Sequence, residues 1–229
     1  MPAMLDVLDR LTIDWTDIDR ATAVTDELLH ALAEDKDTLR MLVDRAAEDD
    51  DLLAQCECHR LLDKLVLYDG LDRGFRIRLH ISTSDHLDRP HDHRFSFSSL
   101  ILAGAYKQVR HRIVGEVPDE VASGIQEDHQ AVPISARVEP EFATTEQAGS
   151  FYTIHHSVVH TTIMEDNTVS LFIRGPAEKD RSLITDRDTG SLWWRMGAQD
   201  ESPERRAQKV MDLSQFEVRR RKLEVLGIT

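Results

Sequence analysis

A chain of 229 residues with 42 Asp/Glu against 28 Lys/Arg carries a formal charge of −14. So acidic a surface is repelled by phosphate backbones, which argues against nucleic acid as a partner. No apolar run approaches the ~18–20 residues of a membrane span, and the start lacks the basic-then-apolar pattern of a secretory signal. No membrane partner and a cytoplasmic location are therefore expected. Hydrophobic residues make up 41% of the chain, enough for a sizeable core, and the length suits one domain with appendages or two small ones.

Residues 4–66 read as helices. Ile18, Ala21, Val24, Leu28, Leu29 and Leu32 stand at helical spacing, and Asp37 or Thr38 can cap a second helix carrying Leu39, Met41, Leu42 and Val43. Asp49-Asp50-Asp51 opens a third, expected to run through Leu52, Leu53, Cys56, Leu61, Leu62 and Leu65, with its negative charge suited to the helix dipole. Residues 1–70 alone hold 18 Asp/Glu against 7 Lys/Arg, a net of −11, which solubility explains. Cys56 and Cys58 are the only cysteines. Two apart on a helix they do not share a face, so reduced thiols are expected. Cys56-Glu57-Cys58-His59 lacks the second ligand pair that a zinc site needs.

Asp69-Gly70 and Arg73-Gly74 are turn signals, and strands begin after them. Phe75 to Ile81 alternates: Ile77, Leu79 and Ile81 face one way, Arg76, Arg78 and His80 the other. Then comes Arg89-Pro90-His91-Asp92-His93-Arg94-Phe95-Ser96-Phe97. On an extended strand His91 and His93 leave the same face and can reach one ion. Parity puts Phe95, Phe97, Ser99 and Ile101 on that face as an apolar wall. Gly104 allows a bulge or tight bend before Tyr106.

Residues 113–148 read as short strands joined by long loops, with Pro133–Val138 as one strand and His129 solvated. Gly149 to His160 then sets three more histidines, His155, His156 and His160, at the end of an apolar run. Thr168–Arg174 reads as a late strand closed by Gly175-Pro176. Trp193 and Trp194 follow the Asp188-Thr189-Gly190 turn on opposite strand faces. Ser202-Pro203-Glu204 opens a last helix to about Leu226, bearing Val210, Leu213, Phe216 and Leu223. Its basic cluster Arg219–Lys222 can meet the acidic N-terminal region, in the same chain or in a dimer mate.

The two histidine segments resemble the two motifs of the cupin superfamily. The first is His-x-His, three or four residues, Glu, six residues, Gly; His91 and His93 match the pair and Gly104 lies near the closing glycine. The second is Gly, five residues, Pro-x-Gly, two residues, His; Gly149 opens it, His155 stands for the proline, Ser157 for the glycine and His160 for the ligand. The resemblance covers roughly residues 75–175. The family's Glu would fall at Phe97 or Ser98, neither a strong ligand, so the resemblance implies a three-histidine site of His91, His93 and His160. Cupin thiol dioxygenases use such an iron centre.

The resemblance implies a mainly β fold: a cupin-type β-barrel over 71–198, an N-terminal helical cap over 1–70, on the outside of the barrel or over its mouth, and a C-terminal helix over 199–229 on the barrel or a dimer partner. It implies one divalent metal ion, Fe(II) favoured, with Zn, Mn or Ni as alternatives. The first functional reading is a non-haem Fe(II) dioxygenase acting on a small, amino-acid-like substrate. A redox-neutral isomerase, lyase or bond-forming enzyme and a non-catalytic ligand-binding cupin are the alternatives. Arg78, His80, Phe97 and Arg174 are the candidate substrate-binding residues, provided the polar row on the first strand faces the lumen rather than solvent. Tyr106 and His156 are the candidate catalytic residues, as hydrogen-bond donor and proton carrier.

Overall fold

The computed structural model describes residues 4–83, 86–115, 136–186, 192–196 and 202–229. It is mainly β, with helices at both ends of the chain. After a short helix α1 (Met4–Arg10), α2 (Ile18–Glu34) starts at Asp17, whose side chain accepts from the Arg20 N–H. Its buried residues Ala21, Thr25, Leu28, Leu29 and Leu32 form one stripe. Asp35 ends α2 and caps α3 (Lys36–Glu48) through the Thr38 N–H, so the cap lies two residues before the expected Asp37, and Asp37 and Thr38 are both inside the helix. Asp49 caps a single turn, α4 (Asp50–Leu53).

The third helix expected to run to Leu65 is instead a strand, β1 (Leu62–Gly70). A bulge between Val66 and Tyr68 adds one residue there, and Leu65, Val66, Leu67 and Tyr68 are all buried. Alternation is lost, and the run reads like a helix interior. A 3₁₀ turn (Leu71–Arg73) leads to β2 (Phe75–Ser82), then β3 (His86–Leu87), β4 (Phe97–Ala103) and β5 (Ala105–Val114). Next are β6 (Arg137–Gln147), β7 (Phe151–Ile154), β8 (Val159–Met164), β9 (Val169–Arg174), β10 (Arg181–Thr185) and β11 (Leu192–Met196). Residues 137–147 thus form one long strand rather than short pieces. Pro133–Ser135, His129 and the Asp188–Gly190 turn lie outside the described residues.

One antiparallel sheet has the order β1-β2-β9-β4-β7; another is β3-β8-β5-β6, with β10 and β11 paired beside it. The first sheet carries the helical layer on one face. Leu65, Ile77, Leu79, Ile81, Leu100, Leu171 and Ile173 pack with Leu28, Leu29, Leu32, Leu39 and Leu42 in a single core. The buried Thr25 and Ser98 hydroxyls meet at 2.7 Å and tie α2 to β4. The helices therefore cover the outside of the sheet. Gly104, between β4 and β5, has φ +73°, and a Cβ there would sit 2.4 Å from the Thr168 Oγ1 and 2.8 Å from its Cα. Only glycine meets both demands.

The C-terminal segment is two helices, α5 (Pro203–Ala207) and α6 (Leu213–Val225), where one was expected. The break has a use: Cys58 N donates to Lys209 O and Met211 N to Cys56 O, and Val210 pairs with Glu57 in a bridge. Val210 is therefore off the helix, as are the two cysteines. Asp212 then restarts the helix with a capping box to Gln215. The basic cluster meets the acidic N-terminal region within the same chain: Arg219 to Asp63 at 2.8 Å and Arg220 to Asp44 at 3.1 Å.

Candidate metal centre

His91 and His93 lie just before β4, outside any named strand, yet extended. His91 exchanges two backbone hydrogen bonds with His160 of β8, at 2.9 and 2.8 Å. Asp92 points the other way, as alternation requires. Its buried carboxylate accepts from the Leu183 N–H at 2.7 Å and pairs with the Lys179 ammonium, which clamps the segment to β10. The two histidines are thereby turned toward His160.

One ring nitrogen from each of His91, His93 and His160 lies within 4.8 Å of the others. The His93 and His160 Nε2 atoms are 2.8 Å apart, and the His91 ring centroid lies 4.8 Å from that of His93 and 4.9 Å from that of His160. Two metal–imidazole bonds of about 2.05 Å at right angles would place their nitrogens about 2.9 Å apart. The donor set therefore fits one divalent ion. Two of the three far nitrogens are tied down. His160 Nδ1 lies 2.9 Å from the Gln108 Oε1, inside the protein, and His91 Nδ1 lies 2.7 Å from the Arg89 carbonyl and 3.4 Å from Asp88. An acceptor on Nδ1 fixes the proton there and leaves Nε2 for a metal. Burial, more than the neighbouring histidines, holds His93 and His160 well below the ordinary imidazole range. Gln108, four residues after the predicted turn glycine, was not readable as a partner: only the register of β5 on β8 brings it there.

Aromatic rings wall the site. Phe97 stands 4.8 Å from the His93 ring and 6.1 Å from that of His160, with Phe95 at 5.6 Å from His93. Phe97 stacks on Phe172 at 4.7 Å, and Phe172 on His80 at 4.1 Å. A row of rings thus connects the three histidines to β2. The polar row on β2 lies opposite the helix-facing Ile77, Leu79 and Ile81, so His80 and Arg78 face inward, beside Ser170 and Phe172 of β9. His80 is buried, with no partner for Nε2. Arg174 lies in register with both Phe97 and Arg76, and its guanidinium sits 4.6 Å over the Phe95 ring. Tyr106 is also interior, its hydroxyl 3.3 Å from the Ser170 Oγ, and burial pushes its phenol up to about 12.

His156 has other company. It joins His155 and Glu178 in a second group: its Nδ1 is 3.0 Å from Glu178, and the two histidine rings lie 4.0 Å apart. The Ser96 hydroxyl and N–H both bind the other Glu178 oxygen, at 2.6 and 3.0 Å. Burial alone would raise that carboxyl, but these bonds and His156 hold it below its ordinary range. Glu178 was not foreseen, because 22 residues separate it from His156 and no spacing rule connects them.

No family model matches the sequence, and no curated protein matches it. Solved structures do. KdgF from Halomonas sp. is 10% identical, with 52% of this chain and 84% of that one covered at a TM-score of 0.33. An RmlC-like cupin from Shewanella frigidimarina is 12% identical over 54% of this chain and 96% of that one, at 0.33. Hydroquinone 1,2-dioxygenase from Sphingomonas sp. TTNP3, solved with 4-hydroxybenzoate bound, is 8% identical over 50% and 65%, at 0.34. At these values the likeness carries nothing about activity or ligand.

Proposed function

We propose that this chain is a mononuclear metal enzyme of cupin type, with one divalent ion held by His91, His93 and His160, and that it oxidises a small polar, amino-acid-like substrate with dioxygen. The observation that carries the reading is the convergence of three imidazoles, two of them fixed through Nδ1 by Arg89 and Gln108. Fe(II) is the favoured ion: three neutral imidazoles suit it, and three protein ligands leave positions open for substrate and oxygen. The ion, when bound, supplies the electrons and the template for reaction with oxygen.

The chain's own part is placement. Phe95, Phe97 and Phe172 make the inner wall apolar, which excludes water around the histidines. Arg78, His80 and Arg174 face the same interior and orient the substrate's polar groups, guanidinium being suited to bidentate pairing with carboxylate. Tyr106, kept protonated by burial, donates its phenolic proton to a hydrogen-bond acceptor. His156 and Glu178 form a proton-carrying pair set apart from the three ligands.

Elemental analysis of protein prepared anaerobically without an affinity tag tests this. About one iron per chain, with oxygen uptake dependent on an added amino acid or small thiol, is the expected result. Stoichiometric zinc or manganese without uptake would replace it with redox-neutral chemistry. His93→Ala should lose the ion while its far-UV circular dichroism stays unchanged; full metal occupancy in that variant would remove the ligand assignment.

A further inference from the structure

Several half-buried cations among the described residues are paired with acids. Arg76 holds Asp69 through two hydrogen bonds, at 3.0 and 2.6 Å. Lys64 meets Glu57 at 2.8 Å, and Arg219 meets Asp63. Arg78 and Arg174 differ. Among the described residues no carboxylate pairs with either, and the Nε of each is shielded from solvent without a hydrogen-bond partner. Arg78 makes no hydrogen bond in the described structure, and Arg174 makes only one, from Nη1 to the adjacent Gly175 carbonyl at 3.3 Å, besides lying over Phe95.

The two stand on neighbouring strands of one sheet and on the same inner face. Arg174 is opposite Arg76, and Arg78 opposite Phe172, so they are diagonal neighbours within reach of one small molecule. They also oppose each other electrostatically. Burial first, then the charges of Arg78, Arg76 and Arg94, pulls Arg174 down to about 9; burial and then Arg76 pull Arg78 down to about 10. Glu57 and Asp69 attract Arg78, and Asp69 attracts Arg174, only through space; holding two guanidinium groups inside without a directly bonded carboxylate costs stability in the empty protein, and a bound anion offsets that cost. Phe95 carries Arg174 on its ring and lies 5.6 Å from His93, so the cationic pair adjoins the histidine centre.

We propose that this interior takes a small dicarboxylic acid, its two negative groups neutralising Arg78 and Arg174. The proposal rests on the reading of the three histidines as the reaction centre and narrows its substrate class. Guanidinium presents a planar fork that a carboxylate fills with two parallel hydrogen bonds. A single carboxylate would leave one of the two charges unbalanced.

Calorimetric titration of the protein as prepared with succinate, butyrate and inorganic phosphate tests it. Succinate is expected to bind at least tenfold more tightly than butyrate and than phosphate. Arg78→Met and Arg174→Met should each weaken succinate at least tenfold and shrink its advantage over butyrate. Equal affinity for succinate and butyrate, or tighter phosphate, overturns the proposal, as does undiminished succinate binding in both variants. Arg78→Met should melt at or above the parent temperature, since it removes a buried charge that has no directly bonded partner; melting well below it would mean that Arg78 is structural and would also overturn the proposal. Arg78→Lys, which keeps the charge without the fork, should retain the fold and lose part of the affinity. Succinate binding that survives in metal-depleted His93→Ala separates this pocket from the metal reading, so a wild-type protein without metal would overturn that reading and leave the succinate preference to decide this one.

Discussion

Gln108 shows how a single side chain can set the character of a proposed metal ligand. It is buried on β5, and its Oε1 is the partner that fixes the His160 Nδ1 proton. Gln108→Leu keeps the volume roughly and removes the acceptor. The His160 ring then loses its orientation and its fixed tautomer, and metal affinity should fall 10–100-fold by the usual effect of such partners. Competition against a chelator of known affinity measures this, with circular dichroism to show the fold intact. His91 has a sturdier arrangement, since its acceptor is the Arg89 carbonyl and no substitution of a side chain removes it.

At the scale of elements, the joint between α6 and the N-terminal half is made of charge. Asp63, at 4% exposure on β1, meets Arg219 of α6. Arg219→Met leaves a buried carboxylate without its cation, which should cost roughly 3 kcal/mol of stability in urea unfolding. The pairing of opposite charges was readable from composition, because an arginine-rich helix and an acidic first third invite each other. The strand carrying Asp63 was not. β1 is covered by helices on one side and by the interior on the other, and its bulge puts four consecutive buried side chains in a row. Nothing in such a run distinguishes strand from helix, whereas β2, whose two faces differ, showed its alternation plainly. The break between α5 and α6 was hidden for a similar reason. Residues 208–211 leave the helix to pair with Cys56–Cys58, a partner 150 residues away that no local pattern announces.

For the molecule as a whole, proton uptake links the interior to acid stability. Burial, ahead of the neighbouring cations, pushes His59 down to about 4, and burial with Arg78 and Lys64 holds His80 well below its ordinary range. Both stay neutral in the folded chain, while the unfolded chain takes up protons near pH 6.5. The stability they contribute is fully present above pH 6.5 and is lost as pH falls toward 4. In metal-free protein the urea midpoint should therefore drop between about pH 7.5 and 5. His59→Gln combined with His80→Gln should shrink that drop, leaving the part that His93 and His160 contribute. Glu57, which Lys64 holds down at about 2 despite burial, loses its charge only at still lower pH. The proposed ligand pair His91–His93 was legible because residues i and i+2 of an extended segment share a face without any tertiary knowledge. Its partners needed the register of three separate strands.

Strand β9 arrives late in the chain and occupies the middle of its sheet, between β2 and β4. Until residues 169–174 are in place, β1–β2 and β4–β7 are separate ribbons, and Phe172 and Arg174 are missing from the interior. Closing that gap means joining segments about ninety residues apart, a slow search that rewards nothing until it succeeds. The pocket cannot then exist half-made: its Phe172 wall and its Arg174 arrive in the same event that seals the sheet.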